Sequence, residues 1–269
     1  MIGGINAQLV VTSCIFAFVQ RRADTRKMTA PRTLLVFDLD GTLYSYSKTQ
    51  IHEQMRLRIA TYVAKLKDIT VEAAREVSSQ LYKRYGLTGR ALAIENNIDA
   101  VEYFAYVHAL DLSPLKPDTQ LHADLAAFTA AGHELWILTN AITSHANACL
   151  AALGVLHFFP PERVLDCIDQ WKFSAANRES KPLPGAYDLL LERSGAVAGR
   201  DTIVMLEDSE ENLHEPARRG WGCVFVIDKC SAEEVAEARA KHSRYHCISD
   251  ISQLRSAIAA VTSMPISPS

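Results

Sequence analysis

The sequence has no C-x-x-C pair, no internal repeat, no low-complexity block and little excess charge, its formal net charge being −3 over 269 residues. Each absence removes a class of function. Without a tight cysteine pair, the six scattered cysteines read as reduced thiols of a cytosolic-type protein. The group Cys223, Cys230, His242, His246 and Cys247 contains an H-x3-H pair but not the paired cysteines of a structural zinc site. Cys223 reads instead as a small hydrophobe in a strand. Near-balanced charge gives no attraction for a nucleic acid polymer or a membrane surface. The apolar run near the start, Leu9 to Val19, is too short to span a bilayer. No basic segment precedes it, and Arg21, Arg22, Arg26 and Lys27 follow it, the wrong order for a secretory signal. An acidic-poor, Arg-rich start suits an organelle transit peptide, and Met28 is an equally good start. Residues 1–30 are expected to lie outside the fold of a cytoplasmic protein, with organelle targeting left open.

What is present centres on Thr33 to Tyr44, TLLVFDLDGTLY. Thr33 to Phe37 are apolar or β-branched, too short for a helix and soon followed by a breaker, which predicts an interior strand of a parallel sheet. Ligands of open α/β sheets bind beyond the carboxyl ends of the strands. Asp38 and Asp40 sit there, two carboxylates that repel each other and call for a cation. An isolated D-x-D is as often an acidic turn, so the rest of the chain decides.

Behind it, residues 47–116 carry no strand signal. Ile51, Met55, Ile59, Val63 and Leu66 form a helical stripe. Val71, Ala74, Val77 and Leu81 repeat it behind the N-cap Thr70, and Asp99 with Glu102 reads as a capping box. This predicts a small helical cap, placed as a lid and closed by Pro114 and Pro117. From residue 117 to 262 helices alternate with strands at Glu134–Leu138, Val164–Cys167, Thr202–Leu206 and Cys223–Ile227, the last clear strand. Ile168 to Glu179 reads as a polar loop, Pro184 opens a helix, and Ser231 with Glu234 forms a further capping box. The expected architecture is α/β: a doubly wound parallel-sheet core over residues 31–46 and 117–262, a helical cap over 47–116, and a loose tail over 263–269.

Asp38, Thr139 and Asp208 all fall at carboxyl ends of predicted strands, with Lys181 before a helix. Those are parts for phosphoryl transfer. Mg²⁺ prefers carboxylate and carbonyl oxygens, so Asp38, the main-chain carbonyl of Asp40 and Asp208 suffice as ligands. Asp38 is the expected nucleophile and Asp40 the expected acid and base. Thr139, Lys181 and the N–H groups of Leu39 and Asn140 are expected to hold the phosphate oxygens. The partner this implies is a small phosphomonoester.

The ordered set FDLDGT, ILTN, the lysine of SKPLPGAYDLL, and VMLEDS resembles the haloacid dehalogenase superfamily, with its Rossmann-like core. The resemblance implies the same roles for Asp38, Asp40, Thr139, Lys181 and Asp208, and implies that Glu207 reaches the metal through water. Asp40 argues against a dehalogenase, which releases halide and carries a non-acidic residue there. The cap segments LYKRYGLTGRAL and DAVEYFAYVH, with LKPD and TNAITSHANACLAALG, look like the pyrimidine 5′-nucleotidase type, although Gly41 stands where that type often has Asn. That implies hydrolysis of nucleoside 5′-monophosphates such as UMP or CMP, with Tyr85, Asn96 and His108 as candidate base or ribose contacts. A phosphatase or phosphomutase acting on sugar phosphates is the alternative, and a non-catalytic binding protein is disfavoured by the complete set of reactive residues.

Overall fold

The computed structural model describes residues 30–228 and 231–263. The expected N-terminal extension, apart from Ala30, lies outside the described residues, as do Cys230 and all of the expected tail except Ser263. Thr33–Phe37 form β1, and Leu34 to Phe37 are fully buried. The chain then makes one helical turn at Tyr46–Thr49 and four helices: α1 (Ile51–Lys67), α2 (Val71–Tyr85), α3 (Thr88–Glu95) and α4 (Ala100–Val107). Thr70 and Asp99 cap α2 and α4 through their side chains, satisfying N–H groups that a helix start leaves open. Of the α1 stripe, Leu66 is 39% exposed, because α1 buries Ala60 and Ala64 beside Val63 instead.

After α5 (Thr119–Ala130) comes β2 (Glu134–Leu138), α6 (Thr143–Ala152), the two-residue β3 (Val164–Leu165) and α7 (Cys167–Phe173). Then follow α8 (Pro184–Ser194), β4 (Thr202–Glu207), α9 (Glu210–Arg218), β5 (Gly222–Val226), α10 (Ala232–Lys241), β6 (His246–Ile248) and α11 (Leu254–Ser263). The six strands form one parallel sheet in the order β3-β2-β1-β4-β5-β6, a doubly wound α/β fold as expected. Successive β1 side chains face opposite ways. Leu35 and Phe37 enter a layer with residues of α5, α6 and α11, and Leu34 and Val36 enter one with α8 and α9.

Two sequence expectations need correction. Cys223–Ile227 is not the last strand: His246–Ile248 pairs beyond it at the sheet edge, too short and too polar to stand out in the sequence. Ile168 to Glu179 is not all loop either. Asp166 caps α7, which is polar outside but buries Cys167 and Trp171 against the cap residues Ala91, Tyr103 and Phe104. Among the described residues no helix is long and apolar enough to cross a membrane.

Candidate active site

Four chain segments meet at the carboxyl end of the sheet, and the pairing of β1 decides where. The Asp38 N–H donates to the Leu206 carbonyl of β4 at 2.9 Å, extending the ladder to the last residue before the turn. The chain then folds back, with the Leu43 N–H reaching the Leu39 carbonyl at 2.9 Å. Gly41 sits at φ +86°, and a Cβ there would collide with the Asp208 carboxylate and the Tyr46 ring. This close approach is why glycine, not asparagine, follows the second aspartate.

Lys181 is buried, and its ammonium donates to Asp38 Oδ1 and Glu207 Oε2, each at 2.6 Å. Its backbone is equally fixed. Gln170 Oε1 accepts its N–H at 3.1 Å, and Asn140 Nδ2 donates to its carbonyl at 2.9 Å. Gln170 Nε2 also donates to the Thr139 carbonyl at 2.7 Å, so α7 ties the end of β2 to the lysine segment. Glu207 Oε1 accepts the Ser209 N–H at 3.1 Å. Thr42 Oγ1 lies 3.3 Å from Asp38 Oδ2 as a donor. Among the described residues the N–H groups of Leu39 and Asn140 have no backbone acceptor, which leaves them available to an anion.

Asp40 has its own partners. Its Oδ1 accepts from the Tyr44 hydroxyl and from His145 Nε2, the latter at 2.7 Å. His145 stacks on His108 with ring centroids 4.7 Å apart, and His108 stacks on Phe104 at 5.8 Å. Burial alone would raise Asp40, but the charge and hydrogen bond of His145 outweigh it and hold the carboxyl below its ordinary range. Burial alone would likewise lower His145, yet Asp40 pushes it up to about 10. His108, buried and facing the His145 charge, is lowered to about 4.

Above the carboxyl end of the sheet lies a cavity of about 440 Å³, in the range of small-ligand sites. Asp38, Asp40, Thr139, Asn140, Lys181, Glu207 and Asp208 form its floor, and the cap supplies walls that include Arg56, Arg75, Tyr82, Phe104 and His108. Of the cap candidates, His108 faces this space. Tyr85 instead bonds Glu95 at 2.8 Å and Asn96 is exposed at the end of α3, so neither lines it. His145, Tyr44, Thr42 and Gln170 are additions that the sequence reading missed. For His145 the signal was a histidine within the buried stripe of α6, beside Ala146, Cys149 and Leu150.

Asp38, Glu207 and Asp208 each offer an oxygen, all within 4.8 Å of one another. Burial and the Glu207 charge raise Asp38 to about 7, and the same two causes raise Asp208 well above the carboxylate range. Hard oxygen donors that repel one another fit a hard divalent cation. Acids raised in the folded state contribute stability at low pH that is lost as pH rises through their folded values. For Asp38 that loss runs from about pH 4 to about pH 7. Mg²⁺ is therefore expected to raise the melting temperature more at about pH 8 than at about pH 5. An equal rise at both, in a thermal melt with and without chelator, would remove these carboxylates as its ligands.

Residues 33–214 match the family of haloacid dehalogenase-like hydrolases. The chain belongs to that family. Phosphate metabolism protein 8 of Saccharomyces cerevisiae is 26% identical to this haloacid dehalogenase-like hydrolase over 206 residues, which is 73% of this chain and 62% of that protein. The chain thus matches less than two thirds of that relative's length. Two solved structures share the fold. A predicted phosphatase from Clostridium acetobutylicum superposes with a TM-score of 0.52 at 16% identity, over 86% of this chain and 100% of that one. An HAD phosphatase from Thermococcus onnurineus gives 0.51 at 16% identity, over 84% and 97%. Phosphatases of the family typically use Mg²⁺.

Proposed function

We propose that this protein is a Mg²⁺-dependent phosphomonoesterase that hydrolyses nucleoside 5′-monophosphates, UMP or CMP in particular, through an aspartyl-phosphate on Asp38. The observation that carries the reading is the Lys181 ammonium held between Asp38 and Glu207 at 2.6 Å from each, beside Asp208 and beneath the cavity. An Asp38 carboxylate oxygen attacks phosphorus while the bond to the ester oxygen breaks, and Asp40 gives that leaving oxygen its proton. The approaching phosphate dianion opposes ionisation of Asp40, which favours its protonated form at that moment. Asp40 then takes a proton from water, which attacks phosphorus, breaks the bond to Asp38 and releases inorganic phosphate. The N–H groups of Leu39 and Asn140, the Thr139 hydroxyl and Lys181 hold the phosphoryl oxygens as charge is redistributed. Asp38, Asp208, the Asp40 carbonyl and, through water, Glu207 would hold Mg²⁺, which when bound lessens repulsion between nucleophile and phosphate. Residues 47–116 act as the cap that closes over the substrate.

The nucleotide assignment rests on the cap walls. Tyr82, 45% exposed, offers a ring face for a base, the packed rings of Tyr103, Phe104 and His108 back the wall, and Arg56 and Arg75 offer donors for its carbonyl oxygens or the ribose. The test is a phosphate-release panel with Mg²⁺, covering UMP, CMP, AMP, hexose 1-phosphates and phosphoglycolate. The expected result is kcat/KM for UMP or CMP at least about tenfold above the others. Conversion of a hexose 1-phosphate to its 6-phosphate, or equal rates across the panel, would overturn the assignment.

A further inference from the structure

A group that first gives and then takes a proton has to stay aimed at one point while its charge changes. Asp40 stands at the entrance to the turn Gly41–Leu43, in a single bridge with Tyr44 rather than in a strand, so a ladder does not fix its carboxyl plane. What fixes it lies on a different element. His145 rises from α6, whose first residue, Thr143, is pinned by Asp166 at 2.9 Å through the N–H and 2.7 Å through the hydroxyl. The His145 side chain is fully buried, and its ring ends the column Phe104–His108–His145 that reaches from the cap core to Asp40. Below it, Cys149 Sγ lies 3.5 Å from Nε2. A leucine would fill this place in an apolar stripe without desolvating a polar ring. An ionised carboxylate only accepts, so Nε2 carries the hydrogen between it and Asp40.

We propose that His145 is a positioning residue for the acid and base: by donating from Nε2 to Asp40 Oδ1, together with Tyr44, it occupies one carboxylate oxygen and leaves the other directed at the ester oxygen in the cavity. The Tyr44 and His145 contacts both fall on Oδ1, and Oδ2 has no partner among the described residues. Rotation of the carboxyl about its bond would break both contacts at once. The inference rests on the assignment of Asp40 as the proton donor to the leaving group.

The consequence is a dependence on the leaving group. A nucleoside alkoxide needs its proton as the bond breaks, whereas p-nitrophenolate departs without one. Single-turnover quench measurements with excess Mg²⁺-loaded enzyme follow first release of nucleoside from UMP and of nitrophenolate from p-nitrophenyl phosphate. His145→Leu is expected to slow nucleoside release about 100-fold while nitrophenolate release changes by less than about threefold. His145→Gln, which restores an N–H donor, is expected to recover most of the loss. The nitrophenolate amplitude counts correctly folded sites, so a folding defect is read separately from a rate. Equal slowing of both esters, no slowing of either, or a His145→Gln no better than His145→Leu would overturn the role. Asp40→Asn is run beside them: if it fails to separate the two esters, the assignment of Asp40 is what fails.

Discussion

Asp38→Asn is expected to lower kcat by about 10⁴-fold or more, since the amide keeps the shape of the side chain and removes the electron pair that attacks phosphorus. Its effect on folding has the opposite sign. Asp38 is crowded by burial and by the Glu207 charge, so a neutral group at this place relieves repulsion, and the metal-free variant is expected to melt higher than the wild type at about pH 8. Loss of activity with gain of stability is hard to attribute to damage. Acid quenching after mixing with ³²P-labelled substrate is expected to trap labelled protein from the wild type and none from the variant. Undiminished turnover by Asp38→Asn would end the covalent mechanism.

Lys181→Met is the second large effect, and it is expected to act on both properties in the same direction. The ammonium is 1% exposed and lies 2.6 Å from each of two carboxylates. Removing one partner of a buried ion pair typically costs about 3–5 kcal/mol, because the charge left behind has no water to turn to. Here Asp38 and Glu207 would face each other uncompensated. Urea unfolding should show that loss, with part of it recovered by Mg²⁺ if, as proposed, the same carboxylates are its ligands. Turnover should fall about 10²- to 10³-fold, since a fixed positive group near the transferring phosphoryl is gone. A stability change below about 1 kcal/mol would mean the bridge is not formed in solution.

Much of this was legible in the sequence because β1, β2 and β4 are buried on both faces and read as short apolar runs, so the polar residue ending each run stands out. Asp38, Thr139 and Asp208 were singled out in that way, and Lys181 by its place between a polar stretch and the proline that opens α8. Contacts without a local period were not legible. His145 meets Asp40 across 105 residues of sequence, and Gln170 meets Thr139 across 31. Neither spacing follows from a helix or strand repeat. α7 was hidden for another reason: only its inner side is apolar, and that side packs on the cap rather than on the sheet. Tyr85 and Asn96 were expected as contacts from the resemblance of the cap segments, but they do not line the cavity, whereas Tyr82, three residues before Tyr85 on α2, does.

The central place of β1 has one more consequence. It stands third of six strands with a ladder on each side, and residues 34–37 touch no solvent. Its amides can exchange with deuterium only when neighbouring strands separate, an opening close to global unfolding. Among the described residues the helices from Ile51 to Val107 share no main-chain bond with that ladder, so they can breathe on a faster clock while the proposed nucleophile keeps its address.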